Sequence, residues 1–342
     1  MILDGTAAQS IATGAALIRA GGLLGLPTET VYGLAADADN AEAVAQIFKA
    51  KGRPADHPLI VHVRDATGVD HFARDVPDFA RALIAAFWPG PLTLILPRRD
   101  GVAAASAGGQ DSIGLRSPSH PVAQALLKAC LDASAGPAVW GVAAPSANQF
   151  GRVSPTTAAH VQGEFGDSVT VLDGGPCTVG IESTIIDCTR GVPVLLRPGA
   201  ITPAQVQAAC GLTVVSKESL ADDAAPAPRA SGTLESHYAP RAKVRLMDAK
   251  ALQSALDLLG ADLDSAKSES PVIATYARLV LKTKSAKVLR KAMPTDAPSA
   301  AHQLFADLRA MDAAGVQLIW VETPPPESAW DGVRDRLQRA AS

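Results

Sequence analysis

Between residues 211 and 240 the hydrophobic periodicity that runs through the rest of the chain stops. In its place stands Asp222-Asp223-Ala224-Ala225-Pro226-Ala227-Pro228, a composition that stiffens a chain through proline and offers little apolar surface for a core. Such a break separates residues 1–210 from residues 241–342, and both segments lie within the usual size of an independently folding domain.

Each segment mixes helical and strand-like patterns. In the first, helical spacing runs from Thr6 to Ala20 and stops at Gly21-Gly22, a strand is expected at Leu23–Leu26, and Asp39-x-x-Glu42 reads as the cap of a helix reaching Lys51. Further strands are expected at Leu59–Val63, Leu92–Leu96, Ile113–Leu115, Thr170–Leu172, Ser183–Asp187 and Val194–Leu196, with helices at 78–87, 121–131 and 202–210. These strands do not alternate regularly with helices, so a mixed sheet is expected rather than a doubly wound one. Beyond Pro240, strands at 243–247, near 272–275 and at 316–321 alternate with helices at 250–259, 300–313 and 329–340, giving a small α/β domain.

Composition removes several function classes. The formal net charge is -3, so there is no global positive field to hold nucleic acid, and strong direct tRNA binding is not expected. Cys130, Cys177, Cys188 and Cys210 are too widely spaced for a CxxC pair or a metal set, and read as reduced core thiols. No metal ligands are assigned. The beginning of the chain lacks a basic region followed by an apolar run, which predicts a cytoplasmic protein. The apolar stretch from Leu83 to Leu96 is interrupted by Pro89-Gly90-Pro91 and is too short to span a bilayer, so no membrane role is expected.

Several polar segments stand at the ends of expected strands, where α/β folds commonly hold ligands. Thr28, Glu29 and Thr30 before Tyr32-Gly33 can line a ligand loop or simply form a turn and a helix cap. Lys49, Lys51 and Arg53 close a helix; they can clamp phosphates, or represent the ordinary cationic enrichment of a helix C-terminus. His62 lies within an apolar strand and is either a satisfied core residue or a hydrogen-bonding group facing a pocket. Arg116 ends the strand that Ser112 begins, Ser146 and Asn148 follow another apolar run, and Gly180-Ile181-Glu182-Ser183-Thr184 and Leu196-Arg197-Pro198-Gly199 add polar groups flanked by glycine. No phosphate-binding P-loop and no dinucleotide fingerprint is present.

The ordered set PTETVYGLA, KGRPADHPLIVHV, GLRSPSHP, APSAN, GIESTI, LRPGA and HYAP, followed by LFADLRAMD and DRLQRAA, resembles the threonylcarbamoyl-AMP synthase family in its long, two-domain form, over nearly the whole chain. The resemblance implies an open, twisted, mixed α/β sheet of the YrdC-like kind at 1–210, a linker and active-site lid at 211–240, and a smaller Rossmann-like α/β domain at 241–342. It implies a nucleotidyltransferase that forms threonylcarbamoyl-AMP and pyrophosphate from L-threonine, bicarbonate or carbon dioxide, and ATP, with magnesium, for N6-threonylcarbamoyladenosine in tRNA. A downstream threonylcarbamoyl transferase would receive the product. The alternative within the same fold is an RNA-binding module without turnover.

Carried over motif by motif, the family's threonine site would comprise Thr30, His62, Arg116, the backbone at Ala144 and Ser183. Its ATP site would comprise Arg53, His57, Ser112, Ser146, Ser154, Arg197 and His237. Lys51, Arg53, Ser146 and Asn148 match the KxR and SxN signatures around the reacting groups, Tyr32 would close the pocket beside them, and His237 and Tyr238 would cover it. Two positions depart from the family pattern: Ala230-Ser231-Gly232 lacks the proline that commonly precedes the glycine, and His57 stands where asparagine is frequent.

Overall fold

The computed structural model describes residues 1–220, 227–232, 238–264 and 272–342. The chain divides into two compact units, Met1–Phe150 with Ser154–Thr233, and Gly151–Val153 with Leu234–Ser342.

The first unit contains β1 (Ile2–Asp4), α1 (Ala8–Arg19), β2 (Leu24–Leu26), β3 (Gly33–Asp37), α2 (Ala41–Lys51), β4 (Ile60–Val63), α3 (Thr67–Phe72), α4 (Asp78–Phe87), β5 (Leu92–Pro97) and β6 (Ser112–Arg116). It continues with α5 (Pro121–Leu131), β7 (Gly141–Ala143), α6 (Ala158–Phe165), β8 (Thr170–Asp173), β9 (Thr184–Asp187), β10 (Val194–Arg197), α7 (Pro203–Cys210) and β11 (Val215–Ser216). The strands form one open sheet in the order β1-β8-β2-β3-β7-β4-β6-β5-β9-β10-β11. The sheet is mixed, as expected: β4–β6 and β5–β9 are parallel, whereas β4–β7, β5–β6 and β9–β10 are antiparallel.

Two central strands were not legible in the sequence. The Gly/Ala-rich segments of β3 and β7 have weak intrinsic strand preference, and they are extended because each pairs with neighbours on both sides. The cap of α2 also differs from expectation. Asn40 caps it, its side-chain oxygen accepting from the amides of Glu42 and Ala43 at 3.1 Å. Asp39 instead accepts from the Ala103 amide at 2.9 Å and pairs with His71 at 2.8 Å. Of the cysteines, which are all free, Cys130, Cys177 and Cys188 are buried as expected, but Cys210 is half-exposed at the end of α7.

Strand alternation sorts the sheet's side chains into two faces. On β4, β5, β6 and β9, residues Val61, Val63, Leu92, Leu94, Leu96, Ile113, Leu115 and Ile186 join one core with Val44 and Ile47 of α2 and Leu83 of α4. The alternate positions carry His62, Thr93, Gly114 and Arg116 together with a small apolar cluster of Ile60, Ile95, Ile185, Val194 and Leu196, against which Ala227 and Ala230 pack. This second face is overlain by residues 227–232 rather than by a helix, and the cavity left between that segment and Ile60, Ser112 and Gly114 holds about 10 Å³, room for a single water.

Strict alternation along β10 would put Arg197 on the same side as Leu195, which packs into the helix-covered core. A register shift between Leu195 and Arg197, opposite Ile185 and Ile186 of β9, breaks the alternation there. Arg197 therefore shares the polar face with Leu196, a bulge re-aiming a functional side chain. Gly199 permits the close approach just beyond: a Cβ there would lie 2.5 Å from the Thr184 amide nitrogen and 2.8 Å from the Ser183 carbonyl carbon. Backbone cannot yield as a side-chain tip can. Gly199→Ala is expected to lower the unfolding free energy by about 1–3 kcal/mol in urea titrations. An unchanged midpoint would show that β9 and β10 separate at no cost.

The second unit has β12 (Lys243–Met247), α8 (Ala249–Asp264), β13 (Ile273–Ala277), β14 (Val288–Ala292), α9 (Ala297–Ala313), β15 (Leu318–Glu322) and α10 (Asp331–Ala341). Its sheet is parallel throughout, in the order β12-β15-β13-β14, a Rossmann-like arrangement. The edge strand β14 was not anticipated, because Lys287, Arg290 and Lys291 obscure its apolar pattern.

Candidate functional site

The loop between β2 and β3 folds on itself. Thr28 Oγ1 donates to the Val31 carbonyl at 2.6 Å and lies 2.9 Å from Thr30 Oγ1. This places Glu29 and Thr30 against Arg116 at the end of β6. The Arg116 guanidinium donates to Thr30 Oγ1 at 2.8 Å and to the Gly90 carbonyl at 3.2 Å, and pairs with Glu29 Oε1 at 2.7 Å. Glu29 Oε2 in turn accepts from the Ser119 amide at 3.1 Å. His62 stands opposite Arg116 in the β4–β6 register. Burial, with the Arg116 charge beside it, pulls the His62 imidazole down to about 3, so it is neutral at physiological pH. Among the described residues its buried Nδ1 has no hydrogen-bond partner. The Ala144 amide donates to the Ile60 carbonyl at 3.0 Å, fixing the end of β7 beside these groups.

Arg197 organises a second cluster. It donates to the Ser183 carbonyl at 3.0 and 2.9 Å, to Ser183 Oγ at 3.1 Å and to the Ser231 carbonyl at 2.8 Å. Ser183 Oγ also lies 2.7 Å from Thr93 Oγ1. Arg53 donates to the Pro58 carbonyl at 3.0 Å and to Ser231 Oγ at 3.4 Å. Ser231 thus bridges the two arginines.

The end of α2 supplies a third group. Gly52 adopts a left-handed conformation (φ 62°), and the Arg53 amide closes back on the Phe48 carbonyl at 3.0 Å. The reversal sends Lys51 inward, where Nζ donates to the carbonyls of Ser146, at 2.6 Å, and Asn148. Lys51 is only 2% exposed and Arg53 8%, unlike the ordinary surface cations of a helix end. Burial, reinforced by the Arg53 charge, pulls the Lys51 ammonium down to about 7. Ser154 Oγ donates to Glu182 Oε1 at 2.5 Å. His57 rests against Phe150, ring centroids 5.7 Å apart, and burial and the Arg53 charge lower its pKa. Ser112 begins β6 beneath residues 229–231.

One expectation fails. Tyr32 does not close a pocket beside Lys51; its hydroxyl donates to the Gly175 carbonyl at 2.8 Å and accepts from the Gly174 amide at 3.2 Å, anchoring the far end of β8. Tyr238 is fully buried in the second unit, with Phe305 at 5.4 Å and the Arg336 guanidinium over its ring. His237 lies outside the described residues. Conversely, Thr93, Glu29, Glu182 and Ser231 touch the proposed site residues although they were not assigned to it. Thr93, a single polar residue in the run Leu92–Leu96, was the available signal. Among the described residues no group of three or more His, Cys, Asp or Glu is placed to hold a metal, and no helix is long and apolar enough to cross a membrane.

Residues 16–199 match the Sua5_yciO_yrdC family, described as Telomere recombination, and residues 201–342 match the Threonylcarbamoyl-AMP synthase C-terminal domain. The chain belongs to the threonylcarbamoyl-AMP synthase family. The family's enzyme from Pyrococcus abyssi is 35% identical over 331 residues, covering 96% of this chain and 92% of its own. The Bacillus subtilis enzyme is 42% identical over 240 residues, 70% of this chain and 66% of its own. The crystal structure of P. abyssi Sua5 complexed with L-threonine superposes with a TM-score of 0.85 at 32% identity, covering all of this chain and 97% of that one.

The Arg116–Glu29 pair is a stability element of this site. Glu29→Ala leaves the guanidinium buried without its carboxylate, and is expected to cost roughly 3–5 kcal/mol in denaturant unfolding. A loss under about 1 kcal/mol, the range of a surface pair, would show that Arg116 is solvated.

Proposed function

We infer that the chain joins L-threonine, bicarbonate and ATP into threonylcarbamoyl-AMP and releases pyrophosphate. The likeness to a threonine-complexed relative along the whole chain supports this. The observation that carries the residue assignments is the gathering of Lys51, Arg53, Arg116 and Arg197, all buried, with His62, Thr93 and Ser183 around the polar face of one sheet. A neutral compound has no use for four buried cations; an amino-acid carboxylate and a triphosphate do.

Threonine's carboxylate is assigned to Arg116, beside Thr30, with its polar groups reaching His62, Ser183 and the Ala144 backbone. Because His62 stays neutral, it can donate or accept a hydrogen bond without adding charge. ATP is assigned to Arg53, His57, Ser112, Ser146, Ser154, Arg197 and His237, with Lys51, Arg53, Ser146 and Asn148 around the reacting atoms. The threonine amine forms a bond to carbon dioxide and gives up a proton, producing a carbamate. A carbamate oxygen then bonds to the α-phosphorus as the bond to the bridging oxygen breaks, and pyrophosphate leaves with that electron pair. Charge grows on phosphate oxygens in this displacement, where the fixed cations stabilise it. Magnesium enters with the triphosphate as part of the substrate. No protein nucleophile is required. The product passes to a threonylcarbamoyl transferase acting on tRNA.

Pyrophosphate release that requires threonine and bicarbonate together tests the activity; release with either omitted would refute it. Arg116→Lys, which keeps a positive charge but not the fork that reaches Thr30, Glu29 and Gly90, should raise the KM for threonine about tenfold or more and that for ATP by less. Equal shifts would move Arg116 to the nucleotide or to the fold.

Lys51 gives a pH test. At pH 8 its amine, titrating near 7, is mostly neutral in the empty protein, and a polyphosphate beside it restores the proton. ATP binding at pH 8 should take up about one proton in calorimetry across buffers of different ionisation enthalpy, and Lys51→Met should abolish the uptake. The same shift means that the unfolded chain holds a proton the folded one lacks between about 7 and the ordinary 10.5, so stability rises with pH across that interval. Lys51→Met should flatten the rise. Proton uptake identical in the variant would remove Lys51 from the phosphate site.

A further inference from the structure

A serine hydroxyl brings a hydrogen and a pair of acceptor positions to its surroundings, and the acceptor positions of Ser183 lie against the chain's own residues. Arg197 claims one of them: its guanidinium, which can only donate, lies 3.1 Å from Ser183 Oγ. Thr93 Oγ1 lies 2.7 Å from the same oxygen, and by distance alone either hydroxyl can supply the hydrogen. Both groups are out of water, with Thr93 fully buried and Ser183 only 1% exposed.

Burial sets the direction of that bond. Among the described residues Thr93 Oγ1 has no hydrogen-bond partner besides Ser183. Were Ser183 the donor, the Thr93 hydrogen would be buried without an acceptor, whereas with Thr93 as donor only lone pairs go unused, which is the cheaper deficit. The packing of Thr93 holds its hydroxyl in place. β5 runs between β6 and β9, and the Thr93 methyl is turned toward β6, where a Cβ on Gly114 would lie 3.6 Å from it. A β-branched side chain is stiff about its first torsion, so the hydroxyl stays turned toward Ser183, just ahead of β9. Arg197 and Thr93 then occupy both acceptor positions of Ser183 Oγ. Its hydrogen is what remains to offer.

We propose that Thr93 is a positioning residue for substrate selection: with Arg197 it fixes Ser183 as a hydrogen-bond donor, and Ser183 gives its hydrogen to the side-chain hydroxyl oxygen of threonine. The inference rests on the proposed place of threonine at Ser183. Of the substrate's polar groups, the carboxylate is assigned to Arg116, and a donor aimed at the amine would engage the lone pair that attacks carbon dioxide. The side-chain oxygen is the acceptor left. A hydroxyl free to rotate can present either its hydrogen or its lone pairs and so tolerates many neighbours; one held as a donor favours a substrate with an oxygen at that point over the analogue lacking it.

The test compares L-threonine with L-2-aminobutyrate, which has the same carbon skeleton and no hydroxyl, in calorimetric binding to the full chain and in pyrophosphate release with ATP and bicarbonate. Thr93→Val keeps the branched shape and removes the donor. It should lower kcat/KM for threonine about fivefold or more and that for 2-aminobutyrate by less than about twofold, so the preference between them narrows. The KM for ATP should move less than that for threonine, because Arg197 keeps both bonds to the Ser183 carbonyl. Thr93→Ser, which restores a hydroxyl, should recover most of the preference. In a Ser183→Ala background Thr93→Val should narrow the preference no further, since the hydroxyl it directs is gone. A residue that only supports the fold would weaken both substrates alike and would do so in either background. An unchanged preference in Thr93→Val, an equal loss for both amino acids, or a full further loss in the Ser183→Ala background would overturn the proposal. Wild type that binds neither amino acid would refute the placing of threonine and the proposal with it. Wild type that binds threonine without releasing pyrophosphate would refute the reaction alone, and the binding comparison would still decide the role of Thr93.

Discussion

Removing a cation from water costs several kcal/mol per ion, and the first unit removes four of them around one sheet. Much of the surrounding architecture is the means of meeting that cost. Arg116 is met by a carboxylate, a hydroxyl and a carbonyl; Arg197 by Ser183 and Ser231; Lys51 by two carbonyls at the end of β7. Two of these acceptors sit on residues themselves held by backbone bonds: the Val179 amide donates to the Glu29 carbonyl at 2.7 Å, and the Gly90 amide to the Ser117 carbonyl at 2.8 Å. Lys51 is met by carbonyl dipoles rather than by a carboxylate, and burial together with the neighbouring Arg53 charge holds its pKa down.

The helix-free face makes the arrangement possible. Where the sheet is covered on both sides, around β2, β3, β7 and β8, alternate residues such as Ala35 and Ala36 or Val171 and Leu172 enter separate apolar cores. Toward β4, β6, β5, β9 and β10 one side is free of helices, and polar side chains take the positions that a second core would occupy. Residues 227–232 lie over this side with almost no intervening space. Ser231 therefore occupies ground between Arg53 and Arg197 that the proposed nucleotide needs, so binding must exchange one set of acceptors for another.

Much of this was legible from sequence because strand alternation is a strong signal where one face is apolar. The expected strand at Leu59–Val63 and the place of His62 within it followed directly, as did the helices packed behind them. The resemblance in ordered motifs supplied the residues that no spacing rule could have chosen, such as Ser183 and Arg197. What escaped had physical reasons. β3 and β7 are extended by their neighbours rather than by their own composition, and the depth of Lys51 depends on a glycine reversal followed by contacts almost a hundred residues away. The resemblance assigned Tyr238 to a covering segment; the packing of its ring on Phe305 within the second unit was not readable from that motif.

The irregularity in β10 shows that register can matter as much as residue identity. Were the same residues paired in strict alternation, without the shift, the strand would keep its side chains and its partner, but the guanidinium would turn to the side of Leu195, into the helix-covered core. Homologues aligned without regard to this position would show an intact arginine and conceal a site facing the wrong way. For this fold, the slip of β10 against β9 is itself a specification of chemistry, written in the pairing of the backbone rather than in the letters of the chain.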